Sequence, residues 1–215
     1  LVGIPWRQGQ GYVNSVLGLG QLAPNGQAYR FDKHHLVPFG EYVPPLFSWF
    51  TERLSIPLPN FSSGSATQAP LAFAGQRIAP NICYEDLFGE EMAPLYRDAA
   101  TAPTIMANFS NIAWFGNSIA IDQHRNISRM RALEFERPML RATNTGATAI
   151  IDHHGKVISQ LPRYSRGELV GEVEGRQGIT PYAWLTARMG LWWYWLIGVG
   201  IVIAVRWLPL CHRPC

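Results

Sequence analysis

Tyr12, Asn14, Val16 and Gly18 alternate with Val13, Ser15, Leu17 and Leu19, the period of two expected of a strand, and Pro24-Asn25-Gly26 supplies a turn after it. Ala28-Tyr29-Arg30-Phe31 is the returning strand of that hairpin. Ile78 to Ile82 is a short apolar run that predicts a buried strand, and Gly89 to about Ala99 predicts a helix after it. Thr104 to Asn108 predicts a second apolar strand. From Ile119 to Glu136 the apolar residues Ile127, Met130 and Leu133 share one stripe, with Arg125, Arg129, Arg131 and Glu136 as polar cover, so a helix is expected that Pro138 ends. Leu140–Thr143, Ala147–Ile151, Val157–Gln160 and Glu168–Val173 predict further strands, turned at Asn144-Thr145-Gly146 and His154-Gly155-Lys156. Strand, helix, strand, helix and then several strands point to an α/β layered domain.

Three segments depart from this regular pattern. Asp32 to Pro45 holds prolines at 38, 44 and 45, so Lys33, His34, His35 and Glu41 are expected on a constrained loop. Leu46–Leu54 predicts a short helix in which Phe47, Trp49 and Phe50 could form an apolar lid, and Pro57–Pro70 is a long irregular segment. Between Arg188 and Arg206 there is no charge, and Leu191-Trp192-Trp193-Tyr194-Trp195 crowds aromatic rings at one end. Residues 189–205 are therefore expected as one transmembrane helix, with 206–215 as a short basic tail.

Composition narrows the choice of function. The chain has 215 residues, 47% of them apolar and only 15% charged, which excludes disorder and suits one domain with an appendage. A net charge of +3, with the basic residues scattered, argues against nucleic acid as a partner. Cys83, Cys211 and Cys215 have neither the density of a disulfide scaffold nor paired zinc spacing; Cys211 and Cys215 read as inert. His34-His35 and His153-His154 are adjacent pairs without the i,i+4 spacing of a helical metal site. No nucleotide, flavin or metal motif is visible, and no cofactor is expected.

Cys83 lies where the Ile78–Ile82 strand gives way to a helical stretch, followed by Tyr84, Glu85 and Asp86. A buried cysteine acting as a small hydrophobe is the plain alternative. A nucleophile held on a tight turn, with backbone N–H groups aimed at it, is the reactive one. Thiol catalysis also needs a proton acceptor and donors for an oxyanion, and Lys33, Glu41 and Glu85 are the candidates.

Lys33-His34-His35-Leu36-Val37-Pro38-Phe39-Gly40-Glu41-Tyr42-Val43-Pro44, then Ile82-Cys83-Tyr84-Glu85, then Phe109-Ser110-Asn111 with Trp114-Phe115-Gly116 and Gln123-His124, then Arg131 to Pro138, resemble the nitrilase superfamily, and within it the apolipoprotein N-acyltransferase branch. The resemblance implies a nitrilase-like αββα sandwich over residues 1–180 and a Glu-Lys-Cys triad. It matches Cys83 to the nucleophile, Lys33 to the oxyanion-stabilising ammonium, and Glu41 and Glu85 to acids kept near the thiol. Tyr84 and Trp114 are expected to shape an acyl pocket. The implied reaction moves a fatty acyl chain from a phospholipid, through a cysteine thioester, to the amino terminus of a diacylglyceryl-cysteine lipoprotein. The implied site of action is the bacterial inner membrane, with the catalytic domain on the periplasmic side. A nitrilase-type amidase acting on carbon-nitrogen bonds of small molecules is the alternative. Two departures stand out. No residue between Leu1 and Tyr12 matches the triad glutamate, so the chain is expected to be the C-terminal part of a longer protein. Ile112 stands where the family's loop usually carries Asp.

Overall fold

The computed structural model describes residues 1–9, 11–22, 28–44, 47 and 61–207. The first of its two sheets is antiparallel, ordered β1 (Val2–Gln8), β2 (Gly11–Leu22), β3 (Ala28–Asp32). The second runs in chain order: β4 (Leu71–Phe73), β5 (Gln76–Ile82), β6 (Ile105–Ser110), β7 (Met139–Thr143), β8 (Ala149–Ile151) and β9 (Val157–Gln160). β5, β6 and β7 are parallel, while β4, β8 and β9 add as antiparallel neighbours. Parallel neighbours need a crossover. Helical turns from Cys83 to Tyr96, including α1 (Gly89–Met92), carry the chain from β5 to β6, and α2 (Ala120–Phe135) carries it from β6 to β7.

The six-stranded sheet is covered on both faces, which is why β6 is apolar and buried almost throughout. On one side Met106, Met139 and Ile151 pack against Tyr96, Phe135 and Ala183 of the helical layer. On the other, β2 lies against β5 and buries Val13 and Val16. Gly3 of β1 approaches Phe109 of β6 so closely that an added Cβ would stand 3.6 Å from the Phe109 Cβ. Among the described residues, helices cover only the six-stranded sheet.

Several expectations are corrected. β1 is a strand that alternation does not predict, because Pro5 interrupts it; as an edge strand pairing only with β2, it tolerates the missing N–H. The helix expected over Gly89–Ala99 stops at Met92 and continues as a 3-10 turn over Ala93–Tyr96, since Pro94 has no N–H to donate. Glu168–Val173 is not a strand. It runs unpaired beside β8, where a Cβ on Gly171 would meet Ile150 Cδ1 at 2.6 Å. The long helix ends as expected, with Glu136 in the left-handed region (φ 49) ahead of Pro138.

The tail also differs. α3 (Pro181–Met189) packs on the core through Ala183 and Ala187, and α4 (Trp192–Trp207) leaves it at 101°, with Gly190 at φ 56 between them. Among the described residues no single helix is long and apolar enough to cross a membrane. The expected turn at Pro24-Asn25-Gly26, the helix at 46–54 except Phe47, and Cys211 and Cys215 lie outside the described residues. Phe47 is exposed and meets Phe39 edge to face at 5.4 Å.

Candidate active site

Cys83 is the first residue beyond β5, at the C-terminal end of three parallel strands, where crevices in such sheets form. Its backbone is left-handed (φ 54) although it carries a side chain, a conformation that costs about 1–2 kcal/mol and must be held by its surroundings. Two acids that follow it, Glu85 and Asp86, hold it from opposite sides.

Glu85 holds one side. Its Oε2 accepts from the Ile82 N–H at 2.7 Å, and its Oε1 accepts from the His34 and His35 N–H groups at 2.7 and 3.2 Å. One carboxylate thus staples the Cys83 turn to the Lys33 loop. Burial pushes the Glu85 carboxyl above its ordinary range, while the three N–H donors and the Lys33 charge pull it back.

On that loop Lys33 is 1% exposed and its Nζ lies 2.8 and 2.7 Å from the two oxygens of Glu41. Glu41 also accepts from the Val37 N–H at 2.7 Å and from the Asn14 amide. An ammonium has three N–H groups. Two face Glu41, and the third has no partner among the described residues. The prolines predict the irregular course of this loop, and Glu41 closes it from within.

Asp86 holds the other side. It is fully buried, with Oδ1 3.0 Å from His124 Nε2 and Oδ2 3.1 Å from Arg141 Nη1, and Ser128 Oγ donates to the same Oδ2. Arg141 also donates to Ser128 Oγ, to His124 Nδ1 at 3.1 Å and to the Ala147 carbonyl at 3.1 Å. Burial lowers the pKa of its guanidinium, and Asp86 and Cys83 oppose that shift. The Cys83 carbonyl accepts from Asn108 Nδ2 and lies equally far, 3.1 Å, from His124 Nε2. Sequence reasoning did not single out Asp86, Ser128, Arg141 or Asn108. The available signal was a polar pair at i,i+4, His124 and Ser128, on one face of α2, with an arginine in the middle of an otherwise apolar strand.

Tyr84 is half-buried, with its ring 5.4 Å from His35 and 4.9 Å from Phe88. Trp114 stands on a 3-10 turn beyond β6 and is 76% exposed. Its loop is tied to the end of β7 by Asn144, whose side chain donates to Asn111 Oδ1 and accepts from the Ile112 N–H. Ile112 is buried against Ile121 and Ala147, so its apolar side chain fills a small core of its own. A cavity beside Glu85 is lined by Phe31, His34, Asn81, Leu95 and Tyr96 among others, and neither Tyr84 nor Trp114 lines it.

Residues 1–179 match the family model described as carbon-nitrogen hydrolase. The chain is 64% identical over 199 residues to a protein of Verminephrobacter eiseniae named apolipoprotein N-acyltransferase, covering 89% of this chain and 37% of that one. A protein of the same name from Ralstonia nicotianae is 54% identical over 171 residues, covering 80% of this chain and 32% of that one. The chain therefore spans about a third of the length of these relatives. The crystal structure of a carbon-nitrogen hydrolase from Helicobacter pylori G27 is similar with a TM-score of 0.58 at 13% identity, covering 91% of this chain and 66% of that one, a likeness of fold. With two stacked sheets and a matching model over nearly all of them, the chain belongs to the carbon-nitrogen hydrolase family.

Proposed function

We propose that this chain is the thiol-bearing part of an N-acyltransferase that moves a fatty acyl chain from a phospholipid to the amino terminus of a diacylglyceryl-cysteine lipoprotein. The 64% identity to a protein of that name carries the reading over a small-molecule amidase. In the first step Cys83 Sγ attacks the ester carbonyl carbon of the phospholipid. The thiol proton passes to a general-base carboxylate, as the implied Glu-Lys-Cys triad requires. The new oxyanion is met by the free N–H of Lys33, whose ammonium Glu41 orients. Collapse breaks the ester C–O bond, and the lysophospholipid leaves with the proton. In the second step the lipoprotein amine attacks the thioester carbon and gives up a proton to the same base, the C–S bond breaks, the Cys83 thiolate takes that proton back as a thiol, and the amide departs. Glu85 acts by holding the Lys33 loop against the Cys83 turn. Tyr84 and Trp114 contact the acyl chain, and no cofactor takes part.

Membrane attachment is part of the proposal. α4 is apolar all round and exposed all round, which water does not favour and lipid does. Its 16 residues rise about 24 Å against a hydrocarbon core of about 30 Å, and Trp192, Trp193, Tyr194 and Trp195 suit the interface. α4 would enter the bacterial inner membrane while α3 lies along its periplasmic face. As a test, the full-length protein is incubated with acyl-labelled phospholipid and the Cys83 peptide examined for a thioester. Wild type should carry label and Cys83→Ala none. Label retained by Cys83→Ala, or ammonia released from small amides with no lipid-derived thioester, would overturn the reading.

A further inference from the structure

His124 reaches past the catalytic thiol's side chain to its main chain. Its Nε2 lies 3.1 Å from the Cys83 carbonyl oxygen and 3.0 Å from Asp86 Oδ1, both acceptors, while its Nδ1 receives a hydrogen bond from Arg141 Nη2. The proton therefore sits on Nε2, since Nδ1 must offer its lone pair to the guanidinium. Ser128 and Arg141 hold Asp86, Asp86 orients the imidazole, and the imidazole, together with Asn108, holds the Cys83 carbonyl. The peptide is planar and trans, so fixing that carbonyl also fixes the N–H of Tyr84, which lies in the same plane and points the opposite way, away from the buried cluster.

We infer that His124 is a positioning residue. Held in its Nε2–H tautomer by Asp86 and Arg141, it locks the Cys83–Tyr84 peptide plane, which keeps Cys83 left-handed and aims the Tyr84 N–H at the oxyanion. His124 contacts neither substrate nor thiol proton in this role, which separates it from the histidine base of a Cys-His protease. The inference rests on Cys83 being the reactive thiol of the proposed site.

The test uses the full-length protein in detergent and compares wild type, His124→Ala and His124→Gln, whose amide nitrogen can still reach the carbonyl as a donor. Two rates are read: thioester formation from labelled phospholipid, and alkylation of the Cys83 peptide by iodoacetamide, followed by peptide mass spectrometry. In His124→Ala, kcat for thioester formation should fall about ten- to a hundredfold with KM for phospholipid unchanged. The alkylation rate should shift as well, and His124→Gln should recover most of both. If His124→Ala does not fold, His124→Met, which fills the space without a donor, replaces it. Unchanged kcat in the donorless variant overturns the inference. So does a loss that His124→Gln fails to recover, because that pattern belongs to a purely structural histidine. Should wild type form no thioester, the acyltransfer reading fails alone. The alkylation rates then decide the inference, with equal rates in all variants counting against it.

Discussion

Glu85 and Asp86 are consecutive, both are buried, and they anchor the same turn to opposite halves of the domain. Glu85 reaches the Lys33 loop and, among the described residues, is met only by backbone N–H groups; Asp86 reaches α2 and β7 and is met by Arg141, Ser128 and His124. Backbone donors compensate a buried charge only in part, and accordingly burial wins at Glu85 and its pKa rises. A guanidinium neutralises its partner outright. The Asp86 side is thus tied down by a cation as well as by hydrogen bonds, and the Glu85 side by backbone donors.

Breaking the anchor should have the largest effect. Asp86→Ala leaves the fully buried Arg141 without its carboxylate and His124 without its orienting acceptor. An uncompensated buried charge of this kind costs about 3–5 kcal/mol. Urea unfolding of the full-length protein should show a loss of that size, and a loss under about 1 kcal/mol would mean that Arg141 finds another acceptor or water. Arg141 also donates to the carbonyls of Ala147 and His124, which limits the damage.

Much of this contrast was hidden from the sequence, for definite reasons. The parallel strands and α2 were legible because their apolar residues follow simple periods and Pro138 marks an end. β1 was not, because an edge strand can keep a proline that periodicity counts against it. The break at Gly190 was not, because composition sees an uncharged run and not the left-handed glycine that turns it. Within the site, motif resemblance brought out Lys33, Glu41, Cys83 and Glu85 as a set, and the fold joins Lys33 to Glu41 and both ends of Glu85 to the loop and turn. It named Glu85 and passed over Asp86. Which of two adjacent acids faces which layer depends on a 3-10 turn set by the left-handed Cys83, and no local pattern announces that.

Glu85 offers a finer test, through pH. Its folded pKa lies above the ordinary 4.5, so the group takes up a proton on folding between the two values. Its contribution to stability is then fully present below pH 4.5 and lost as pH rises through the folded value. Glu85→Gln removes this titration and leaves the Ile82 N–H facing an amide nitrogen, at a cost of about 1–3 kcal/mol. The stability gap between wild type and Glu85→Gln should therefore be widest at low pH and narrow as pH rises. A gap that widens with pH would mean that the three N–H donors and Lys33 outweigh burial, and Glu85 would then be as firm an anchor as Asp86.

Trp114 should give the smallest change in stability and thereby isolates function from folding. Its side chain is 76% exposed, so Trp114→Ala removes little buried surface and should move the unfolding midpoint by no more than about 0.5 kcal/mol. The loop that carries it is held elsewhere, by Asn111, Asn144 and the buried Ile112. An exposed indole of this size gains most from meeting another apolar surface. If that surface is an acyl chain, Trp114→Ala should raise KM for phospholipid about five- to 150-fold, roughly the 1–3 kcal/mol of one lost apolar contact, with the rate of Cys83 alkylation unchanged. The opposite split, a slower alkylation with KM intact, would place Trp114 with the parts that hold the thiol, beside Glu85 and Asp86.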